Sequence, residues 1–199
     1  MVHLQADTAA SFGEQFPNNT DREREFGLEK ETKFVRETRC FKNSRVFPTD
    51  VNSHNTLFGG RLMSHIDDIA SISASKLCRV TAVTASTDSV DFLLPIRTTD
   101  SVSLEAFVSW TGNRSMEVFV KVIREDLRTG ERKIAATSFL TFVGIGDDNK
   151  PIYVPQVIPE TEEEKALYET AAHRKELRKI RREESKKFAD FLLTKYPWE

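Results

Sequence analysis

The residues best suited to chemistry lie in a loop that runs into a helix, between Asn52 and Ala70. Gly59 and Gly60 stand at the junction, where the lack of side chains lets a ligand approach the backbone closely. The first amides of a helix have no internal partner and carry partial positive charge. This junction can therefore hold a carbonyl oxygen that becomes negative during a reaction.

Asp67 interrupts an apolar pattern on the helix predicted for residues 59–78. Apolar residues recur there at helical spacing, at Leu62, Met63, Ile66, Ile69, Ala70, Ala74 and Leu77. Asp67 follows Met63 by four residues, which places its carboxylate on or beside the apolar face, whereas Asp68 falls on the polar face. Such a carboxylate either is held structurally by hydrogen bonds or acts as a base, and the pattern leaves both open.

Two histidines suggest a different chemistry, a serine or cysteine nucleophile activated by an imidazole. His65 falls on the polar face of the helix, and no partner for a catalytic triad is evident, which disfavours that mechanism. His54 lies in the loop, where contact with a substrate and a structural role are equally compatible with its position.

Composition predicts a cytoplasmic protein of one domain with extensions. The chain has 199 residues, of which 30% are charged, and no run of about 18 apolar residues that could span a membrane. Its start lacks the basic and apolar regions of a secretory signal. Cys40 and Cys78 form neither a disulfide framework nor a metal-binding spacing. A formal net charge of −2 gives no general attraction to nucleic acid, so we expect no nucleic-acid partner.

The order of the elements predicts an α+β fold. Residues 1–32 are expected to form a flexible extension, residues 33–159 a domain, and residues 160–199 a basic C-terminal helix. Strands are predicted at 33–47, 80–86, 87–95, 102–110, 116–124 and 134–143. A sheet of antiparallel strands would wrap around the single long helix and leave one edge open. Pairing of two copies would cover that edge.

The predicted C-terminal helix, residues 160–196, is strongly basic in its middle and has a partial apolar stripe. The stripe contains Leu177, Ile180, Phe188, Phe191 and Leu192. The basic residues are open to three interpretations: a solvated face with Glu–Lys pairs, a nucleic-acid surface, or a site for the phosphates of a small ligand. The second is disfavoured because no aromatic residues alternate with the charges.

Two segments resemble the hotdog-fold acyl-CoA thioesterases. They are the loop and helix from Asn52 to Asp67, with the sequence Asn-Thr-Leu-Phe-Gly-Gly at 55–60, and the segment Val83–Phe92. The similarity extends over residues 35–190 and is greatest to bacterial single-hotdog acyl-CoA hydrolases related to the cytosolic long-chain enzymes of animals. It implies an antiparallel sheet wrapped around a long central helix, and hydrolysis of fatty acyl-CoA to a fatty acid and coenzyme A.

The resemblance also implies a catalytic set, Asn52, Asp67, Thr84 and Gly60. Asp67 would activate water or attack the thioester itself, Asn52 would orient water or the carbonyl group, and the Gly60 amide would hold the oxyanion. In the family, the asparagine and aspartate come from different subunits of a dimer, and three dimers commonly form a hexamer. No metal and no cofactor is expected, since coenzyme A is part of the substrate.

The substrate-binding residues are expected in three places. His54 and Gly59 lie at the loop and the helix start, and Arg114, Ser115 and Met116 match the family segment beside the pantetheine arm. Arg178, Arg181 and Arg182 are candidates for the phosphates of coenzyme A, because guanidinium groups match phosphate geometry.

Two other functions compete with this prediction. A hotdog hydratase or dehydratase would carry a loop histidine before a Pro-Gly turn, and this chain has no counterpart. A non-catalytic acyl-CoA or nucleotide-binding module would not need Asn52, Asp67 and Thr84 together.

Overall fold

The computed structural model describes residues 31–195 and Trp198. The predicted N-terminal extension lies outside the described residues except for its last two positions. The main sheet has five antiparallel strands in the order β2-β4-β5-β6-β3. Its strands are β2 (Cys40–Arg45), β3 (Thr81–Phe92), β4 (Asp100–Thr111), β5 (Ser115–Asp126) and β6 (Arg132–Ile145). Two short strands, β1 (Thr32–Phe34) and β7 (Gln156–Ile158), form a separate parallel pair.

Helix α1 (Gly59–Cys78) packs against one face of this sheet. Its buried apolar residues are Leu62, Ile66, Ile69, Ala70, Ala74 and Leu77. Met63, which the sequence pattern assigns to this stripe, is instead 47% exposed. Alternate residues of the strands, among them Leu104, Val118 and Phe142, complete the core. The predicted α+β fold, with an antiparallel sheet around a central helix, is confirmed.

Helix α2 (Glu162–Phe191) covers the opposite face of the sheet. It begins with a capping box, in which the Thr161 hydroxyl accepts from the amide of Glu164 and the Glu164 carboxylate accepts from the amide of Thr161. Ion pairs fix its path: Glu163 pairs with Lys121 on β5, and Arg178 pairs with Asp88 on β3. The helix therefore crosses the sheet towards the edge strand β3.

Three predicted boundaries are wrong. The strand predicted at 33–47 is two strands, because residues Val35–Thr38 form a 3-10 turn in which the Thr38 hydroxyl donates to the carbonyl of Val35. The strands predicted at 80–86 and 87–95 are the single strand β3, with register shifts after Thr84 and after Thr87. The C-terminal helix is shorter than the predicted 160–196. Neither α1 nor α2 is both long and apolar enough to cross a membrane.

Candidate active site

The start of α1 presents free backbone amides. Phe58 occupies the N-cap position, and its carbonyl accepts from the amide of Leu62 at 3.1 Å. The amides of Gly59, Gly60 and Arg61 precede that first bond and have no acceptor within the helix. A Cβ at Gly60 would lie 2.6 Å from the Phe58 ring, so a larger residue there would force this exposed side chain to move. The helix end therefore has amides that are available to an acceptor outside the helix.

Asp67 lies on the flank of α1 that faces β3. One of its carboxylate oxygens, Oδ1, accepts a 2.8 Å hydrogen bond from the Thr84 hydroxyl. Asp67 is exposed in the single chain and lies beside the buried apolar stripe of α1 rather than within it. Asp68 faces the other way, towards β2, where it pairs with Lys42 at 3.0 Å. The two neighbouring carboxylates therefore point to opposite edges of the sheet.

An irregularity of β3 begins at Thr84. The pairing of β3 with β6 is regular up to Thr84, opposite Phe142, and shifts before Ser86. Such irregularities bend a strand and change the direction of a side chain. This one lies directly beside the threonine that contacts Asp67, so the local strand geometry and the position of that hydroxyl are linked.

Asn52 is bound mainly to its own loop. Its Oδ1 accepts from the backbone amides of His54, at 2.9 Å, and Thr56, at 3.3 Å. Its Nδ2 donates to the Thr56 hydroxyl at 3.0 Å. An amide nitrogen has two hydrogens, so one can still be donated to a ligand, whereas the oxygen is already used. Asn52 is thus suited to contact a carbonyl oxygen as a donor, and His54 beside it is exposed.

The helix end and Asp67 of one chain are far apart. Seven residues separate Gly60 from Asp67, which is about 10 Å along the helix axis at 1.5 Å per residue. A water held by Asp67 and the oxygen of the carbonyl that it attacks lie much closer together, within a few hydrogen-bond lengths. A carbonyl that contacts both groups of one chain would have to span nearly the whole of this distance.

The predicted pantetheine segment begins at the turn between β4 and β5. The Arg114 guanidinium lies 4.7 Å from the centre of the Tyr153 ring, and Ser115 is half-buried. Met116 is fully buried and faces the core, opposite Phe142. Its side chain is a core residue, which corrects the expectation that it binds substrate.

A cluster of ion pairs, which we call the Asp88 cluster, joins α2 to the sheet. It consists of Asp88, Glu117, Arg174, Arg178 and Arg181. Arg178 donates to Asp88 at 2.7 Å, Arg181 donates to the carboxylate and the carbonyl of Asp88, and Arg174 donates to Glu117 at 2.8 Å. These bonds give Arg178 and Arg181 a structural role, contrary to the expectation that they bind phosphate. Arg182 is exposed.

Asp88 is ionised within this cluster. Burial alone would raise its pKa, but hydrogen bonds from Ser86, Thr141 and Arg178, together with the charge of Arg178, hold the pKa below its usual range. Sequence reasoning missed Asp88 and Glu117. A signal for Glu117 did exist, because a carboxylate between Met116 and Val118 on a strand must face the opposite side and needs a cation there.

A groove of about 810 Å³ lies between α1 and the edge strand β2. Its walls include Arg39, Phe41, Lys42, Asp68, Ile72 and Lys76. It is therefore on the Asp68 side of the helix, away from Thr84. Near its rim, burial and the charge of Lys42 lower the pKa of His65. Across the described part of the chain, no group of three or more His, Cys, Asp or Glu residues is placed to hold a metal ion.

Comparison with protein families gives one match, in which a model of the thioesterase superfamily matches residues 54–131. An uncharacterized acyl-CoA thioester hydrolase of Bacillus subtilis is 60% identical over 84% of this chain and 98% of its own length. The cytosolic acyl coenzyme A thioester hydrolase of Rattus norvegicus is 36% identical over 62% of this chain, which corresponds to 33% of the rat protein.

Solved structures of acyl-CoA hydrolases are similar over most of the chain. The Bacillus cereus enzyme has a TM-score of 0.79 and 57% identity, covering 83% of this chain and 99% of that one. The Staphylococcus aureus enzyme, in complex with butyryl coenzyme A, coenzyme A and coenzyme A disulfide, has a TM-score of 0.78 and 49% identity. The match covers 80% of this chain and 98% of the Staphylococcus aureus chain. An apo-hexameric acyl-CoA thioesterase has a TM-score of 0.74 and 47% identity, and the match covers 76% of this chain and 97% of that one.

Variants of the Staphylococcus aureus enzyme have also been solved, with alanine in place of one asparagine, one aspartate and one threonine. Those three residues are spaced along that chain as Asn52, Asp67 and Thr84 are spaced along this one.

Proposed function

The chain belongs to the acyl-CoA thioester hydrolases of the thioesterase superfamily, and from this premise we propose that Asp67 drives hydrolysis of fatty acyl-CoA at a site shared by two subunits. The observation that carries the proposal is the hydrogen bond from Thr84 to Asp67, on an exposed flank of α1. The spacing shared with the substituted residues of the Staphylococcus aureus enzyme supports the same assignment.

The reaction begins when Asp67 accepts a proton from water as the water attacks the thioester carbonyl. In the other route, the carboxylate itself attacks and water then hydrolyses the resulting anhydride. In both routes the carbonyl oxygen becomes negative, and the Gly60 amide and Asn52 Nδ2 donate to it. In the general-base route the carbon–sulfur bond then breaks, and the coenzyme A thiolate takes up the proton that Asp67 accepted from water. In the other route the bond breaks as the anhydride forms, and the thiolate takes up a proton from the water that hydrolyses the anhydride. Thr84 holds the carboxylate in place through its hydroxyl group.

The shared site follows from the distance along α1. Because Gly60 and Asp67 of one chain are about 10 Å apart along the helix, we assign the oxyanion donors to a second subunit. In the described part of the chain, β3 pairs on one side only, with β6, and Asp67 faces this open edge. Pairing of two β3 edges would bring the two helices together. We extend this to a homo-oligomer of paired subunits, as in the apo-hexameric structure.

Contacts with the rest of acyl-CoA are assigned from the remaining exposed groups. His54 and Gly59 would border the thioester, Arg114 and Ser115 would lie beside the pantetheine arm, and Arg182 would contact a phosphate. A cytoplasmic location is part of the proposal and is supported by the name of the rat relative.

Thiol release from acyl-CoA tests the proposal directly. Asp67→Ala should lower kcat by about 10²–10⁴-fold, since a general base is removed. Asp68→Ala is the matched control because it removes a neighbouring carboxylate that faces β2, and it should keep most of the activity. Equal losses in two correctly assembled variants would contradict the role of Asp67.

A further inference from the structure

The last third of α2 extends beyond the sheet of its own chain. Arg181 is the last residue of the helix with a contact to Asp88 on the edge strand β3, and all residues from 182 to 195 are exposed. The helix continues to Phe191, ten residues further, which is about 15 Å at 1.5 Å per residue. This segment carries large exposed apolar side chains, among them Phe188 and Phe191.

One stripe of α2, defined by Leu177, Ile180, Phe188 and Phe191, is apolar and exposed. The four side chains are between 46% and 64% exposed. At 100° per residue they lie within a sector of about 80°, and that sector is about a quarter turn away from the face that packs on the sheet. The stripe therefore faces sideways, along the surface of the sheet, where a second helix could lie beside it.

The stripe is symmetric about Glu184. Ile180 and Phe188 lie four residues on either side of Glu184, and Leu177 and Phe191 lie seven residues on either side. Two copies of α2 packed antiparallel about this point would place Ile180 against Phe188 of the partner subunit. Leu177 would meet Phe191 of the partner subunit in the same way. A surface that matches itself after a two-fold rotation is the mark of an isologous contact.

The path of α2 places this centre at the open sheet edge. The helix passes over β3 at Asp88, near the middle of the strand. Glu184 comes three residues after Arg181, which is at most about 4.5 Å further across the sheet. A two-fold axis between two paired β3 strands lies about 2.4 Å beyond each strand, which is half the strand spacing. Glu184 would thus lie close to this axis, so the course of the helix agrees with the centre of the stripe.

We propose that the stripe is a contact between two copies of this chain, in which the α2 helices pack antiparallel about Glu184 across the joined β3 edges. The inference rests on the pairing of β3 edges in the proposed function. Glu184 would meet Glu184 of the partner subunit at the axis. Arg181 and Lys187 lie three residues before and after it in each copy, which offsets the repulsion between the two carboxylates.

Cross-linking through an introduced cysteine tests the geometry. Glu184→Cys should form a disulfide-linked dimer on mild oxidation, because this residue meets its own copy at the axis. Lys186→Cys, on the opposite face of the helix, should not. Leu177→Cys lies on the stripe, but the two copies would be about 21 Å apart along antiparallel helices, so it should not cross-link either. Cys40 and Cys78 are present in all three variants, so a cross-link through either of them would appear equally in all three.

Dimer stability provides a second test. Replacing Phe188 and Phe191 together by serine should raise the Kd of the dimer at least tenfold in sedimentation experiments. Leu193→Ser is the matched control, because Leu193 is 88% exposed but lies off the stripe. Equal cross-linking of all three cysteine variants, an unchanged Kd, or a monomeric parent chain would each overturn the helix contact. None of these readouts uses catalysis, so they remain separate from thiol release by Asp67.

Discussion

Thr84 connects β3 to the proposed base through one hydrogen bond of 2.8 Å to Asp67. A hydrogen bond to a charged group typically contributes about 1.5–3 kcal/mol, so Thr84→Val should lower kcat about 10- to 100-fold. Thr84→Ser keeps the hydroxyl group and should recover most of the activity. Thermal unfolding of both variants separates a loss of catalysis from a loss of stability. If valine and serine behaved alike in thiol release, the hydroxyl would have no part in catalysis.

The individual residues also show what sequence reasoning can and cannot predict. The positions of Asp67 and Gly60 on α1 can be predicted because helical spacing and glycine conformation are local properties. The ion pair of Arg178 cannot be predicted in this way, because its partner Asp88 lies 90 positions away and is brought near only by the crossing of α2 over β3. The assignment of Met116 as a ligand residue was wrong for a similar reason, since its facing partner Phe142 lies on another strand.

At the scale of elements, the Asp88 cluster attaches α2 to β3, and this attachment should depend on pH. The folded pKa of Asp88 is lowered, so its contribution to stability is complete above the unfolded pKa of about 4 and is lost as the pH falls through the folded value. Asp88→Asn should lower the free energy of unfolding by roughly 2–4 kcal/mol at pH 7, because Arg178 loses its nearest carboxylate and keeps only the 3.5 Å contact with Glu117.

Urea unfolding at several pH values measures this effect. The stability difference between the parent and Asp88→Asn should shrink as the pH is lowered below about 4, because the parent carboxylate becomes protonated there. Asp147→Asn removes an exposed aspartate from the turn after β6 and should follow the parent at every pH. A difference that stays constant down to pH 2 would show that the Asp88 charge does not stabilise the fold.

The antiparallel sheet and its helix were predictable because strands alternate between apolar and polar residues and α1 repeats apolar residues at helical spacing. The irregularities within β3 and before β2 could not be predicted from these patterns. The register shifts after Thr84 and after Thr87 made one strand look like two, since they break the alternation of faces that identifies a strand. The 3-10 turn at Val35–Thr38 depends on a hydrogen bond within four residues, in a segment otherwise rich in strand-forming residues.

At the scale of the whole molecule, the proposed site is completed by a second subunit, and this has a kinetic signature. Asn52→Ala and Asp67→Ala should each be nearly inactive alone. After mixing and reassembly, a hybrid dimer would combine both changes in one site and leave the other site intact. With random pairing, half of the dimers are hybrids, so about a quarter of the parent activity should return.

As a control, each variant is mixed with parent subunits, which shows whether subunits exchange between dimers. Native mass spectrometry can count the hybrids directly. Hybrids that form but release no thiol would mean that Asn52 and Asp67 act within one subunit.

The position of β3 at the edge of the sheet also affects how a new chain folds on the ribosome. β3 pairs with β6, which begins 40 residues after β3 ends, whereas β4, β5 and β6 are joined by short turns. β3 is therefore synthesised early and must wait until most of the sheet has emerged. During that interval its segment up to Phe92 has no hydrogen-bonding strand on either side, which leaves it open to pairing with strands of other chains.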